Sequence, residues 1–91
     1  MAASQFDLSV LTPERAVFEG RVEYVQAPGR EGYLGVLAGH AALVAELTAG
    51  TLTVRLPGGD EVRWRVSGGF FEVAAGAATV LADEASEEPA E

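Results

Sequence analysis

His40 is the sole histidine of this 91-residue chain, and cysteine and lysine are absent. A nucleophile activated by histidine would have to use this one imidazole, and a zinc site would have to draw its other ligands from carboxylates. Glu14, Glu19 and Glu23 lie along an amphipathic extended region, where carboxylates stay solvated rather than share acid and base roles. Residues 29–35, GREGYLG, have the glycine density of a phosphate loop. They lack its Gly-Lys-Ser/Thr ending, and no helical pattern follows them. A histidine directly after Gly39 is expected at a turn or strand edge, making a local hydrogen bond. These residues predict no catalytic centre, no metal site and no cofactor. An enzyme would need a perturbed acid or nucleophile in a cleft, with His40 indispensable to turnover.

Length and charge narrow what remains. Ninety-one residues accommodate one compact unit, held by packing alone because no disulfide or thiolate metal site is available. The formal charge is −8, but five acids (Asp83, Glu84, Glu87, Glu88, Glu91) crowd the last nine residues. Residues 1–82 carry nine acids against six arginines. Binding to nucleic acid or to an anionic bilayer requires a clustered basic face, so both are excluded as expectations. Met1–Gln5 shows neither a positive region nor an apolar core of a signal peptide, and no run approaches the roughly 20 apolar residues of a membrane span. A cytoplasmic protein without direct lipid insertion is expected.

The elements that must position any site are strands. Apolar residues alternate at Phe6, Leu8 and Val10, at Val22 and Tyr24, at Leu52, Val54 and Leu56, and at Val62, Trp64 and Val66. Glycine and proline punctuate these runs at short intervals. The clearest hairpin runs from Thr51 to Leu56, turns over Pro57–Asp60 and returns from Glu61 to Val66. It sets Trp64 on the core side and Thr53, Arg55, Arg63 and Arg65 on the wet side. Residues 40–47 are read as a further strand, as are Phe70–Val73 and Thr79–Ala82. Eight to ten short, mostly antiparallel strands in so small a chain predict an all-β sandwich or barrel, because a flat sheet would leave one apolar face wet. The domain is expected over 1–82, with 83–91 a disordered acidic tail.

Residues 27–43, APGREGYLGVLAGHAAL, resemble a signature of the ε subunit of F-type ATP synthase. That pattern runs Pro-Gly-x-Glu-Gly-x-Leu-Gly-x-x-Pro-Gly-His-x-Pro-Leu. LSVLTPER (8–15) with FEG (18–20) is similar to the family's opening strand and turn, VSGGFFEV (66–73) to its Ser-Gly-Gly-Phe-x-Glu-Val strand, and VLAD (80–83) to the end of its β domain. The resemblance implies a flattened sandwich of two sheets and about ten strands, non-catalytic and without cofactor. It implies a rotor subunit at the foot of the central stalk, monomeric within a hetero-oligomer and bridging the γ subunit and the membrane c-ring to couple proton translocation to ATP synthesis. The cytoplasmic side of the bacterial inner membrane is the implied location. By position, Thr12, His40 and Ala42 match the γ interface, and Glu31, Gly32 and Tyr33 match the loop facing the c-ring.

Departures carry expectations of their own. Ala38 and Ala42 stand where the family has prolines, which predicts a less stiff loop around His40. Tyr33 replaces an acid, which exchanges an ion pair with the ring for an aromatic contact. Typical members continue into a helical hairpin that inhibits hydrolysis and in some binds ATP; a chain without it is expected to couple without that inhibition. The rival reading is a free-standing sandwich that binds a ligand or protein in a concave aromatic pocket. It conflicts with Trp64, Phe70 and Phe71, which strand patterns assign to the core.

Overall fold

The computed structural model describes residues 4–88. Among them are ten strands and no helix, so no helix is long and apolar enough to cross a membrane. They are β1 Phe6–Leu11, β2 Ala16–Val22, β3 Tyr24–Gly29, β4 Gly32–Leu37, β5 Leu43–Leu47, β6 Gly50–Arg55, β7 Glu61–Val66, β8 Gly69–Ala74, β9 Ala77–Ala82 and β10 Ala85–Glu88. A continuous hydrogen-bonded path runs β10-β7-β6-β3-β5-β8-β9-β1-β2, with β4 added beside β3. At its middle, β3 and β5 share only the pair Gly29↔Leu47. There the path folds into a first layer, β10-β7-β6-β3-β4, and a second, β5-β8-β9-β1-β2. The expected flattened sandwich is the fold observed, with extents of 36 × 30 × 24 Å. Pairing is antiparallel throughout except between β1 and β9.

The alternation read from the sequence builds the interior. Phe6, Leu8 and Val10 of β1, Leu52 and Val54 of β6, Trp64 and Val66 of β7, and Ala78, Val80 and Ala82 of β9 all face it and are buried. Phe18 of β2 meets Trp64 with ring centroids 5.6 Å apart, an aromatic contact between the layers. Phe71 is fully buried. Truncating it to alanine is expected to cost about 3–5 kcal/mol. The urea midpoint of Phe71→Ala, compared at constant slope, checks this.

Three expectations change in detail. Val22 and Tyr24 do not share one strand: the chain crosses between layers at Glu23, whose N–H donates to the Arg55 carbonyl at 2.8 Å. His40, Ala41 and Ala42 lie outside a strand, because the chain turns at Gly39 (φ 84) and pairing with β8 begins only at Leu43↔Val73. The acidic segment is not all tail. Ala85–Glu88 pairs with β7 from Ala85↔Val66 to Glu88↔Arg63. The approach is fixed by Asp83 N–H on the Gly68 carbonyl (3.0 Å) and Ser67 N–H on the Glu84 carbonyl (3.2 Å). Backbone pairing suffices to hold an edge strand, and acidic side chains there discourage further pairing. Residues 89–91 of the expected tail lie outside the described residues.

Candidate functional site

Strand register sorts the connections to two ends of the sandwich. The β1–β2 turn with Thr12, the β3–β4 turn at Arg30–Glu31, and the connections at 48–49, 67–68 and 83–84 gather at one end. The β4–β5 connection with His40 and Ala42 lies at the other, with Glu23, residues 56–60 and residues 75–76. Glu31, Gly32 and Tyr33 are therefore brought together, and Thr12 shares their end. His40 and Ala42 are separated from Thr12 by the length of the strands. Thr12 closes its turn by accepting the Arg15 N–H on Oγ1 (3.3 Å) while its own N–H and hydroxyl donate to the Arg15 carbonyl. His40 is exposed, and its Nδ1–H donates to the Ala41 carbonyl at 2.7 Å. Its N–H reaches the Leu37 carbonyl at 3.2 Å, so the local hydrogen bonding expected of it is present.

What lies between these corners is the outer face of the second layer. Cross-strand pairing sets Glu46, Phe70, Leu81 and Leu11 in one row, and Val44, Glu72, Thr79 and Ser9 in the next. Val44 is 69% exposed, Phe70 54% and Leu81 48%. Phe70 therefore does not join the core, contrary to the strand-pattern expectation. Successive residues of a strand point to opposite faces, so of the paired aromatics only Phe71 turns inward. Leu11, Thr12, Pro13, Phe70 and Leu81 line a shallow depression at this row's end. A cluster of large apolar side chains in water on a sheet otherwise bearing Glu46, Glu72 and Glu19 has the character of a protein-docking surface. Sequence reasoning named Thr12 but missed Val44, Phe70, Leu81 and Leu11; the signal available was the adjacent pair Phe70-Phe71 itself.

The β3–β4 hairpin is fastened to both layers. Towards the second, the Arg30 N–H donates to the Glu46 carbonyl at 2.9 Å and its guanidinium to Glu46 Oε2 at 2.8 Å. Towards the first, the Thr51 N–H donates to the Tyr33 hydroxyl at 3.1 Å. Glu31 projects at the exposed tip, before Gly32 with φ 131. The outer face of the first layer is of different character: the Arg55 guanidinium stacks 5.1 Å above the Tyr24 ring, and Arg63 pairs with Glu61 at 2.9 Å.

Residues 5–88 match the family model of the ATP synthase delta/epsilon chain β-sandwich domain. The ATP synthase epsilon chain of Syntrophomonas wolfei is 44% identical over 85 residues, which cover 93% of this chain and 62% of that one. That of Afipia carboxidovorans is 49% identical over 86 residues, covering 94% and 61%. The chain thus spans about three fifths of the length of these relatives. A chain in the Euglena gracilis mitochondrial ATP synthase structure of OSCP, F1 and c-ring superposes with a TM-score of 0.87 at 29% identity, covering 96% of this chain and 56% of that one. A chain of the Tetrahymena thermophila central stalk and c-ring superposes at 0.77 with 17% identity, covering 94% and 69%, a likeness of fold. By this family match, and by the sandwich and motifs that agree with it, the chain belongs to the β-sandwich family of ATP synthase delta/epsilon chains.

Proposed function

We propose that this domain is a non-catalytic rotor element of an F-type ATP synthase, docked to the γ subunit by the outer face of its second layer and to the c-ring by its β3–β4 hairpin. The observation that carries the reading is the apolar row of exposed Phe70 and Leu81 and half-buried Leu11, with exposed Val44 beside it, bracketed by Thr12 at one corner and by His40 and Ala42 at the other. Glu31 and Gly32 stand at the tip of the β3–β4 hairpin with Tyr33 next to them in β4, at the end of the sandwich and apart from the centre of that face. Two surfaces on one stiff body are what coupling of rotation requires. A close-packed interior transmits strain rather than absorbing it, and the fold joins its layers where β3, the first strand of the hairpin, pairs with β5 at Gly29↔Leu47. Attachment is peripheral, on the cytoplasmic side of the bacterial inner membrane, through protein partners and not through lipid.

Size-exclusion chromatography of the chain mixed with the γ subunit of the same source tests this. A stoichiometric complex is expected, weakened about tenfold by His40→Glu, which adds a negative charge at the face's corner. A folded, monomeric chain that never co-elutes with γ at micromolar concentration overturns the docking assignment.

A further inference from the structure

We infer that the Tyr33 hydroxyl is a positioning group that fixes the pose of the β3–β4 hairpin against the first layer; the inference deepens, and rests on, the reading of that hairpin as ring-facing. The β3–β6 ladder runs from Tyr24↔Arg55 to Gln26↔Thr53 and then stops. Two residues further along β3 stands Pro28, which has no N–H to give. Its carbonyl is also taken, accepting the Thr48 N–H at 2.9 Å as the chain leaves β5. The Thr51 N–H of β6 has therefore lost its ladder partner. Tyr33, paired with Pro28 from the opposite side in β4, crosses over that proline and accepts this N–H at 3.1 Å.

The crossing depends on Gly50. A Cβ there would lie 2.7 Å from Pro28 Cβ and 2.8 Å from the Tyr33 hydroxyl oxygen, so any larger residue displaces the ring. With Arg30 bonded to Glu46 in the second layer, the hairpin is held from both sides of the fold at the place where the two layers join. Tyr33 thus works through the hairpin's orientation, and Glu31 at the tip is what it orients. The Tyr33 hydroxyl stands in as acceptor for the Pro28 carbonyl, which is engaged by the Thr48 N–H.

Tyr33→Phe keeps the ring and deletes only the hydroxyl. Amide hydrogen exchange of the full chain is expected to show the Thr51 N–H exchanging about fivefold faster or more. Affinity for the purified c-ring is expected to fall about fivefold, with the loss confined to the ring and not seen towards γ. Gly50→Ala, which displaces the ring from the other side, is expected to reproduce both effects. Unchanged Thr51 exchange in Tyr33→Phe overturns the inference, and so does faster exchange with undiminished ring affinity. A wild-type chain that never binds the ring, while Thr51 exchange still responds, refutes the ring-facing reading and supports the brace alone.

Discussion

Phe70→Glu is expected to weaken binding to the γ subunit by about a hundredfold or more, while the domain stays folded. Aromatic residues near the centre of an interface are the ones whose loss most often exceeds 2 kcal/mol, and a hundredfold change corresponds to about 2.7 kcal/mol. Phe70 fits that description: it is large, 54% exposed and flanked across the strands by Glu46 and Leu81. A carboxylate here would be carried into a desolvated apolar contact and set beside Glu46. Folding has little at stake, because the side chain is outside the core; the thermal midpoint is expected to move by only a few degrees. Titration of γ, followed by fluorescence anisotropy or calorimetry, gives the affinity, and circular dichroism gives the control. Undiminished affinity in Phe70→Glu would remove the second-layer face from the interface.

The neighbouring residue shows why this site was hard to read from the chain alone. Phe70 and Phe71 look equivalent in sequence, and only the phase of β8 decides that one fills the core and the other meets water. That phase is legible where alternation is long, as in the Thr51–Val66 hairpin, whose inward set of Leu52, Val54, Trp64 and Val66 is buried throughout. It is not legible at Glu23, where the chain changes layer and the period slips: Val22 is buried, Tyr24 faces outward, and Val25 is buried again. Nor is it legible in Ala85–Glu88, whose place at the edge of the first layer comes from backbone pairing with no apolar row to announce it. The motif around Gly29 and His40 pointed to the family, but motif order carries no distances. Thr12 lies far from Glu31 in sequence yet shares an end of the sandwich with it, while His40, much nearer in sequence to Glu31, lies at the opposite end.

Gly69→Ala is expected to be the most damaging small substitution in the chain. Gly69 opens β8 with φ 124, a backbone conformation that L residues adopt at a cost of about 1–3 kcal/mol. Its surroundings add to that. A Cβ would lie 2.9 Å from the carbonyl carbon of Leu81 and 3.0 Å from Cα of Ala82, and both are backbone atoms that cannot swing aside. Gly69 is also paired with Leu47 on one side and Ala82 on the other, so making room means parting β5, β8 and β9 near the junction of the layers. A total loss of about 3 kcal/mol or more follows, which in a domain of this size lowers the thermal midpoint by about 15 °C. Gly58→Ala is the matching control, since that residue has φ 98 with nothing within 4 Å of a built Cβ and would report the conformational cost alone. If the two variants unfold at the same temperature, contact with the β9 backbone contributes nothing. If Gly69→Ala unfolds well below Gly58→Ala, the close approach of β8 to β9 is what demands glycine. The same constraint then sets the phase that sends Phe71 inward and leaves Phe70 free to dock.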